Sequence, residues 1–310
     1  MEPDIFGYMR FSYLGRSDAK LARSTDDLER RKQVLYAPER LKERFYFFEK
    51  ICLPSLRWQT DKNFRFAIFT SPELPKKYRK RLAKAVKSVP QIEIVYDKNP
   101  ILNRAIDSWI RKQAAVHTQR TLHFRLDDDD ALASDFIATL RSNMASVPDR
   151  GLISRPSGLL LIQTSDGAEL LAKFEPNIAI GFAVVNPPGH IHNPYDLKHG
   201  GHYRIAPSLI LPGPLAYIHT AHAQSDTIAA QKRKLNHARA EHTVYFGNRP
   251  RRFTQAVQRQ FGGHKPSHFL GIMRGAPSQK AMRKIANPIV APAPALPLAD
   301  QVALAAPEGQ

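Results

Sequence analysis

Four consecutive aspartates, Asp127 to Asp130, follow the apolar run TLHFRL at residues 121–126. They sit in a chain of 310 residues with a formal net charge of +18. Adjacent carboxylates repel one another, so such a cluster needs positive partners. Hard divalent cations such as Mg²⁺ and Mn²⁺ prefer carboxylate oxygens and keep positions open for substrate phosphates. An ion held by one or two of these aspartates could bridge a diphosphate and neutralise the charge on a departing nucleotide. Asp127 and Asp129 have the D-x-D spacing, and in an extended segment residues i and i+2 point to the same side. The competing structural role is an acidic surface or capping turn. A second concentration of chemistry-bearing residues follows, with six of the twelve histidines between His190 and His222. Their spacings do not supply the helix-borne i, i+4 pair of a zinc site.

The elements around the aspartates alternate. IFGYMRFSYL (5–14), NFRFAIFTS (63–71), QIEIVYD (91–97) and TLHFRLD (121–127) are rich in aromatic and β-branched residues and predict strands. Between them lie predicted helices at 39–52, with Leu41, Phe45, Phe48 and Cys52 on one face, from Pro75 to 88, and at 99–116. A helix over 134–145 takes Ser134 as its N-cap. This pattern predicts an α/β fold, a Rossmann-type, mostly parallel sheet with helices on both faces. The second half reads as more antiparallel and loop-rich, with a hairpin around Ser-Asp-Gly at 165–167 and a strand at 178–186. We expect a nucleotide-binding half over 1–145, a second half over 146–285, and a disordered Ala/Pro-rich tail over 286–310. The aspartates then fall at the carboxyl end of the fourth strand, where ligands bind in open α/β sheets.

Composition bounds the rest. The lone cysteine, Cys52, excludes an intramolecular disulfide, and its apolar neighbours in KICLPSL mark a buried thiol rather than a nucleophile. No run of 18 apolar residues exists, and MEPDIFGYMRF lacks the basic start and apolar core of a signal peptide, so a cytoplasmic location is expected. Lys and Arg total 46 against 28 acids, which points to phosphate-bearing partners. His242 to Leu298 contains nine Lys or Arg and no acid. That stretch suits peripheral contact with the anionic inner face of a membrane, against the plainer role of a solvated basic face.

FRLDDDDALASDFI resembles the strand–LDxDD segment of inverting family-2-like glycosyltransferases of the A-type (GT-A) nucleotide-sugar fold. RFYFFEKICLPSLRWQTDKNFRFAIFTSPELP resembles more narrowly a bacterial "putative rhamnosyltransferase" family, and the resemblance covers roughly residues 5–250. It implies inverting transfer of a hexose, rhamnose by the family label, from a nucleotide-diphosphate sugar to a polysaccharide or lipid-linked acceptor. It implies that Asp127 contacts the nucleotide ribose or the metal, that Asp129 is the principal metal ligand, and that Asp130 orients the donor sugar or the neighbouring backbone. Arg10 would grip the nucleotide, Asp97 would hold the base, and Asn103 and Arg104 would line the pocket. Arg125 would pair with Asp127 or with phosphate. A late histidine, His222 ahead of His219, would complete the metal shell. An inverting enzyme also needs a general base. The family's Glu-Asp pair is absent after Asp130, leaving Asp166, Glu169, Glu175, Asp196 and Asp226, of which Asp196 in HNPYDLKHGGHYR is favoured, with a histidine as the alternative.

Two other functions compete. A nucleotidyl- or phosphotransferase would share the carboxylate–metal logic, but no G-x-x-x-x-G-K-[ST] occurs and RFSYLGRSDAKLAR after the first strand holds a single glycine. A nucleic-acid binder fits the charge, but no zinc-finger or RNP-like motif is present.

Overall fold

The computed structural model describes residues 4–15, 27–164, 167–196, 204, 206–222 and 231–278. The expected tail over 286–310, Asp166, Asp226, His199 and His202 lie outside the described residues. The strands are β1 (Ile5–Arg10), β2 (Arg65–Thr70), β3 (Ile92–Tyr96), β4 (Thr121–Arg125), β5 (Ala131–Leu132) and β6 (Leu152–Ser154). They continue with β7 (Ser157–Thr164), β8 (Gly167–Phe174), β9 (Ala183–Asn186), β10 (Ser208–Ile210) and β11 (Tyr217–Ala221). Seven form one sheet in the order β10-β6-β9-β4-β1-β2-β3, and four form a second in the order β5-β11-β7-β8. In the first sheet β1 pairs in parallel with β2 and β4, and β2 with β3. Antiparallel β9 sits between β4 and β6. The fold is therefore the expected α/β type, with a large, mostly parallel sheet.

Strand alternation sends successive side chains to opposite faces of the first sheet. Ile5, Met9, Phe66, Ile68, Leu122 and Phe124 pack with Phe45, Phe48, Leu82 and Leu140 from helices on one face. Phe6, Tyr8, Ala67 and Phe69 pack with Leu102, Ile106 and Trp109 on the other. Both faces are covered, which is why β1 and β4 read as continuous apolar runs. Gly7 is required at the centre. It lies opposite Phe66 on one side and Phe124 on the other, and a Cβ there would collide with both rings.

Several boundaries differ from the sequence expectation, each for a physical reason. The helix that begins at Pro38 does not end at Cys52. It passes through a π-helical turn, Phe48–Cys52, into a further turn, Leu53–Arg57. Pro54 has no N–H and its ring would crowd a preceding carbonyl in a regular helix, and the wider turn accommodates it. The expected helix over 99–116 is Leu102–Ile110, followed by a separate turn, Ala114–Thr118. The Gln113 amide donates to the Trp109 carbonyl at 2.9 Å and satisfies one orphan acceptor at the break. Ser134 is not the N-cap of the next helix, Phe136–Asn143. Its N–H donates to Gln260 O at 2.7 Å and its carbonyl accepts from Thr60 N, so tertiary contacts consume it. The strand expected over 178–186 begins only at Ala183. Gly181, at φ +68°, takes the chain out of extended conformation and makes room for the Phe136 ring.

His123 on β4 is fully buried between the rings of Phe6 and Tyr8, with Thr121 Oγ1 2.8 Å from Nε2. Burial holds its pKa down at about 3, against an ordinary value of 6.5. Between those pH values the unfolded chain takes up a proton that the folded chain refuses. This histidine therefore makes stability fall as pH drops below 6.5, by up to about 1.4 kcal/mol per pH unit. Urea midpoints between pH 4 and 7 should fall less steeply in His123→Gln than in the parent, even though the variant loses ring packing. Equal slopes would show that His123 does not carry this acid lability.

Candidate active site

The aspartates join the two sheets. β4 ends at Arg125, the cluster follows, and β5 begins at Ala131 in the second sheet. Within the cluster the chain turns, with Asp130 N donating to Asp127 O at 3.3 Å. The premise of an extended segment that presents Asp127 and Asp129 on one side is thus corrected. In a turn the carboxylates diverge, and each finds its own partner.

Asp127 accepts from the Arg125 guanidinium at 3.1 Å to both oxygens. Burial works to raise this carboxyl, but Arg125 and then Arg10 outweigh it and hold it below the usual carboxylate range. Arg125 is itself stacked 4.4 Å over the Tyr195 ring. Asp128 is buried and ion-paired at 3.0 Å with Arg44. Its burial nevertheless pushes it up to about 6. Asp130 accepts from the Thr220 N–H at 2.9 Å. Burial first, and the neighbouring Asp129 and Asp127 charges next, push its pKa well up. Asp129 faces His222, with 3.1 Å between its oxygen and Nε2.

The second sheet brings His222 there. β5 pairs antiparallel with β11, Leu132 opposite Tyr217 and Ala131 opposite Ile218. Thr220 Oγ1 donates to the Asp129 carbonyl at 2.9 Å. Two residues later the His222 ring stacks on Phe47, centroids 4.3 Å apart, with Nδ1 3.4 Å from Glu43. Burial works to lower the imidazole pKa, but Asp129 and Glu43 together raise it to about 9. Glu43 is 1% exposed and also accepts from Ser278 N at 2.8 Å and Ser278 Oγ at 2.5 Å. Its own burial would raise it, yet His222 and Ser278 hold it low.

Glu43 and Arg44 are absent from the sequence reading. Both come from the Pro38–Phe47 helix, which lies between two cores, Phe45 in one and Phe47 in the other. The available signal was weak, an adjacent charged pair directly before the aromatic run FYFF in RLKERFYFFEKIC. Tyr195 and Thr220 were missed as well, and neither carries a local signal.

The remaining expected residues surround the same sheet end. Asp97, after β3, accepts from Tyr13 Oη at 3.3 Å and from Asn99 N at 2.6 Å. Asn103 donates to Asp196, which also accepts from Asn193 at 2.9 Å. Arg104 is exposed on the Leu102–Ile110 helix. His219 does not join the aspartates, and its Nδ1 lies 2.8 Å from Lys173 Nζ. Glu169 and Glu175 are committed to Arg239 and to Lys173. Among the described residues no three His, Cys, Asp or Glu side chains converge as a ready-made metal site. At the aspartates, Asp129 and Glu43 flank the two nitrogens of His222.

A mostly parallel sheet with helices on both faces, and carboxylates and arginines gathered where β1 and β4 end, defines a Rossmann-type α/β fold with a candidate ligand site at its strand ends. The chain belongs to the family described as "Putative rhamnosyl transferase", whose model matches residues 4–234. No curated protein sequence matches the chain significantly. Among solved structures, TarS of S. aureus is 10% identical with a TM-score of 0.37, the match covering 84% of this chain and 43% of that one. Residues 1–349 of TarS with UDP give 10% identity, a TM-score of 0.36 and 92% coverage of both chains. A putative glucose-1-phosphate thymidylyltransferase from Bacillus anthracis gives 11% identity and a TM-score of 0.32, covering 76% of this chain and 95% of that one. No helix among the described residues is long and apolar enough to cross a membrane.

Proposed function

We propose that the protein moves a hexose from a nucleoside-diphosphate sugar to a saccharide acceptor, with a divalent metal and with inversion at the sugar carbon. The family supports the sugar transfer, and its description favours rhamnose. The observation that carries the reading is the division of labour among the aspartates. Asp127 is drawn toward Arg125 and Arg10, while Asp129 stands with His222 on the other side of the turn. The first group suits a nucleotide and its phosphates, since guanidinium forks match phosphate oxygens.

The second group suits a hard divalent ion, Mg²⁺ or Mn²⁺. One carboxylate and one imidazole leave most positions to diphosphate and water, as such ions prefer. Asp129 and His222 Nε2 would hold it, and Glu43 would keep the Nδ1 proton and fix the ring, a common arrangement behind metal-bound histidines. The ion would neutralise charge on the departing diphosphate. Asp97, Asn103 and Tyr13 border the place where the nucleoside would lie. Asp196, exposed and steadied by two amide donors, is the proposed proton acceptor for the attacking hydroxyl.

Calorimetric titration with UDP, GDP and dTDP, each with and without Mn²⁺, tests this. One nucleotide should bind, and at least about tenfold more tightly with metal. Equal binding with and without Mn²⁺ would remove the metal from the reading, and no binding to a folded protein would remove the donor.

A further inference from the structure

The second sheet and the C-terminal helices form another concave region, of about 480 Å³. Its walls come from β7, β8, the loop of residues 212–215 and the helices Gln231–Phe246 and Pro250–Gln260. Three cations line it, Lys173, Arg252 and Arg259, and no carboxylate does. Lys173 is ion-paired with Glu175 at 2.5 Å. Arg252 and Arg259 are exposed, two turns apart on one helix, and form no ion pair among the described residues. Tyr245, 45% exposed, stacks on Phe174 and also lines the cleft, as does the exposed Gln255.

With Lys173 neutralised by Glu175, the two arginines remain, and like charges on one cleft wall that holds no carboxylate create a field that attracts an anion. An open aromatic ring and a planar amide add partners for the C–H face and the hydroxyls of a sugar. The concave shape admits a chain and not a flat bilayer surface. The cleft also has a fixed relation to the aspartates. Its Gly158 packs under the Tyr217 ring at the start of β11. His222 lies just beyond the other end of that strand, roughly 17 Å away at the usual rise per strand residue.

We infer that this cleft binds an acidic glycan, a saccharide chain bearing carboxylate or phosphate groups, and anchors the far part of the acceptor while its end reaches the aspartates. The acceptor role rests on the transferase reading above, whereas the binding does not. The test uses the full chain and fluorescently labelled hexagalacturonate and phosphorylated mannan oligosaccharides, with neutral maltohexaose as control. At least one acidic oligosaccharide should bind, binding should weaken with salt, and maltohexaose should not bind. Arg252→Ala with Arg259→Ala should weaken that binding about tenfold or more, Arg→Lys at both should restore part of it, and Asp129→Ala should leave it unchanged. Thermal melts establish that each variant is folded.

Binding that ignores the two arginines overturns the inference, as does an absence of acidic-glycan binding. So does capture on phosphatidylglycerol vesicles through the same arginines without saccharide binding, which would assign the patch to a membrane. Failure of the donor titration with acidic-glycan binding intact would overturn the transferase reading alone.

Discussion

Asp129→Ala is expected to abolish sugar transfer, a loss of about a thousandfold or more, and to erase the metal-dependent part of nucleotide binding. The side chain is 28% exposed and touches His222, so no core is opened by its removal. The fold depends on its neighbours instead: Asp130 on Thr220, Asp128 on Arg44, Asp127 on Arg125. His222 loses one of its two carboxylates but keeps Glu43, which also keeps Ser278, so the unfolding temperature should fall by clearly less than on removal of Glu43. Calorimetry with the preferred nucleotide and Mn²⁺, beside a thermal melt, separates the outcomes. A collapsed melting curve would make Asp129 structural. Retained metal-dependent binding would put the ion elsewhere.

Glu43→Ala is expected to lower stability strongly. It removes the acceptor for two Ser278 donors and leaves His222 buried opposite Asp129 alone. Breaking a buried ionic pair on one side costs about 3–5 kcal/mol. That corresponds to a fall in unfolding temperature on the order of 10 °C for a chain of this size. Glu43→Gln keeps an oxygen for Ser278 and should recover much of the stability. It should not recover the orientation of His222, so the Mn²⁺ concentration for half-maximal activity should rise about ten- to a hundredfold. A Gln variant with normal stability and normal metal requirement would show that the carboxylate only anchors Ser278.

Much of the frame was legible in the sequence because it depends on local periodicity. Aromatic and β-branched runs separated by helical spacings place β1 to β4 and the helices between them. Leu41, Phe45, Phe48 and Cys52, at helical spacing, are all buried as that spacing requires. The position of the aspartates at the end of β4 follows from the same alternation. Local rules failed where a distant partner outbid them: Ser134 looks like a cap until Gln260 and Thr60 take its backbone groups.

The sequence by itself determined the α/β class and the placement of the carboxylates at a strand end, while His222 became a candidate only through the family resemblance. Only the tertiary structure decided which aspartate faces what. Thr220 reaches Asp130 across 90 residues of chain and His222 reaches Asp129 across 93. Glu43 reaches Ser278 across 235. Such pairs leave no repeating pattern along the chain. They arise where the two sheets meet, because carboxylates buried there must find donors within hydrogen-bond reach or lose their charge.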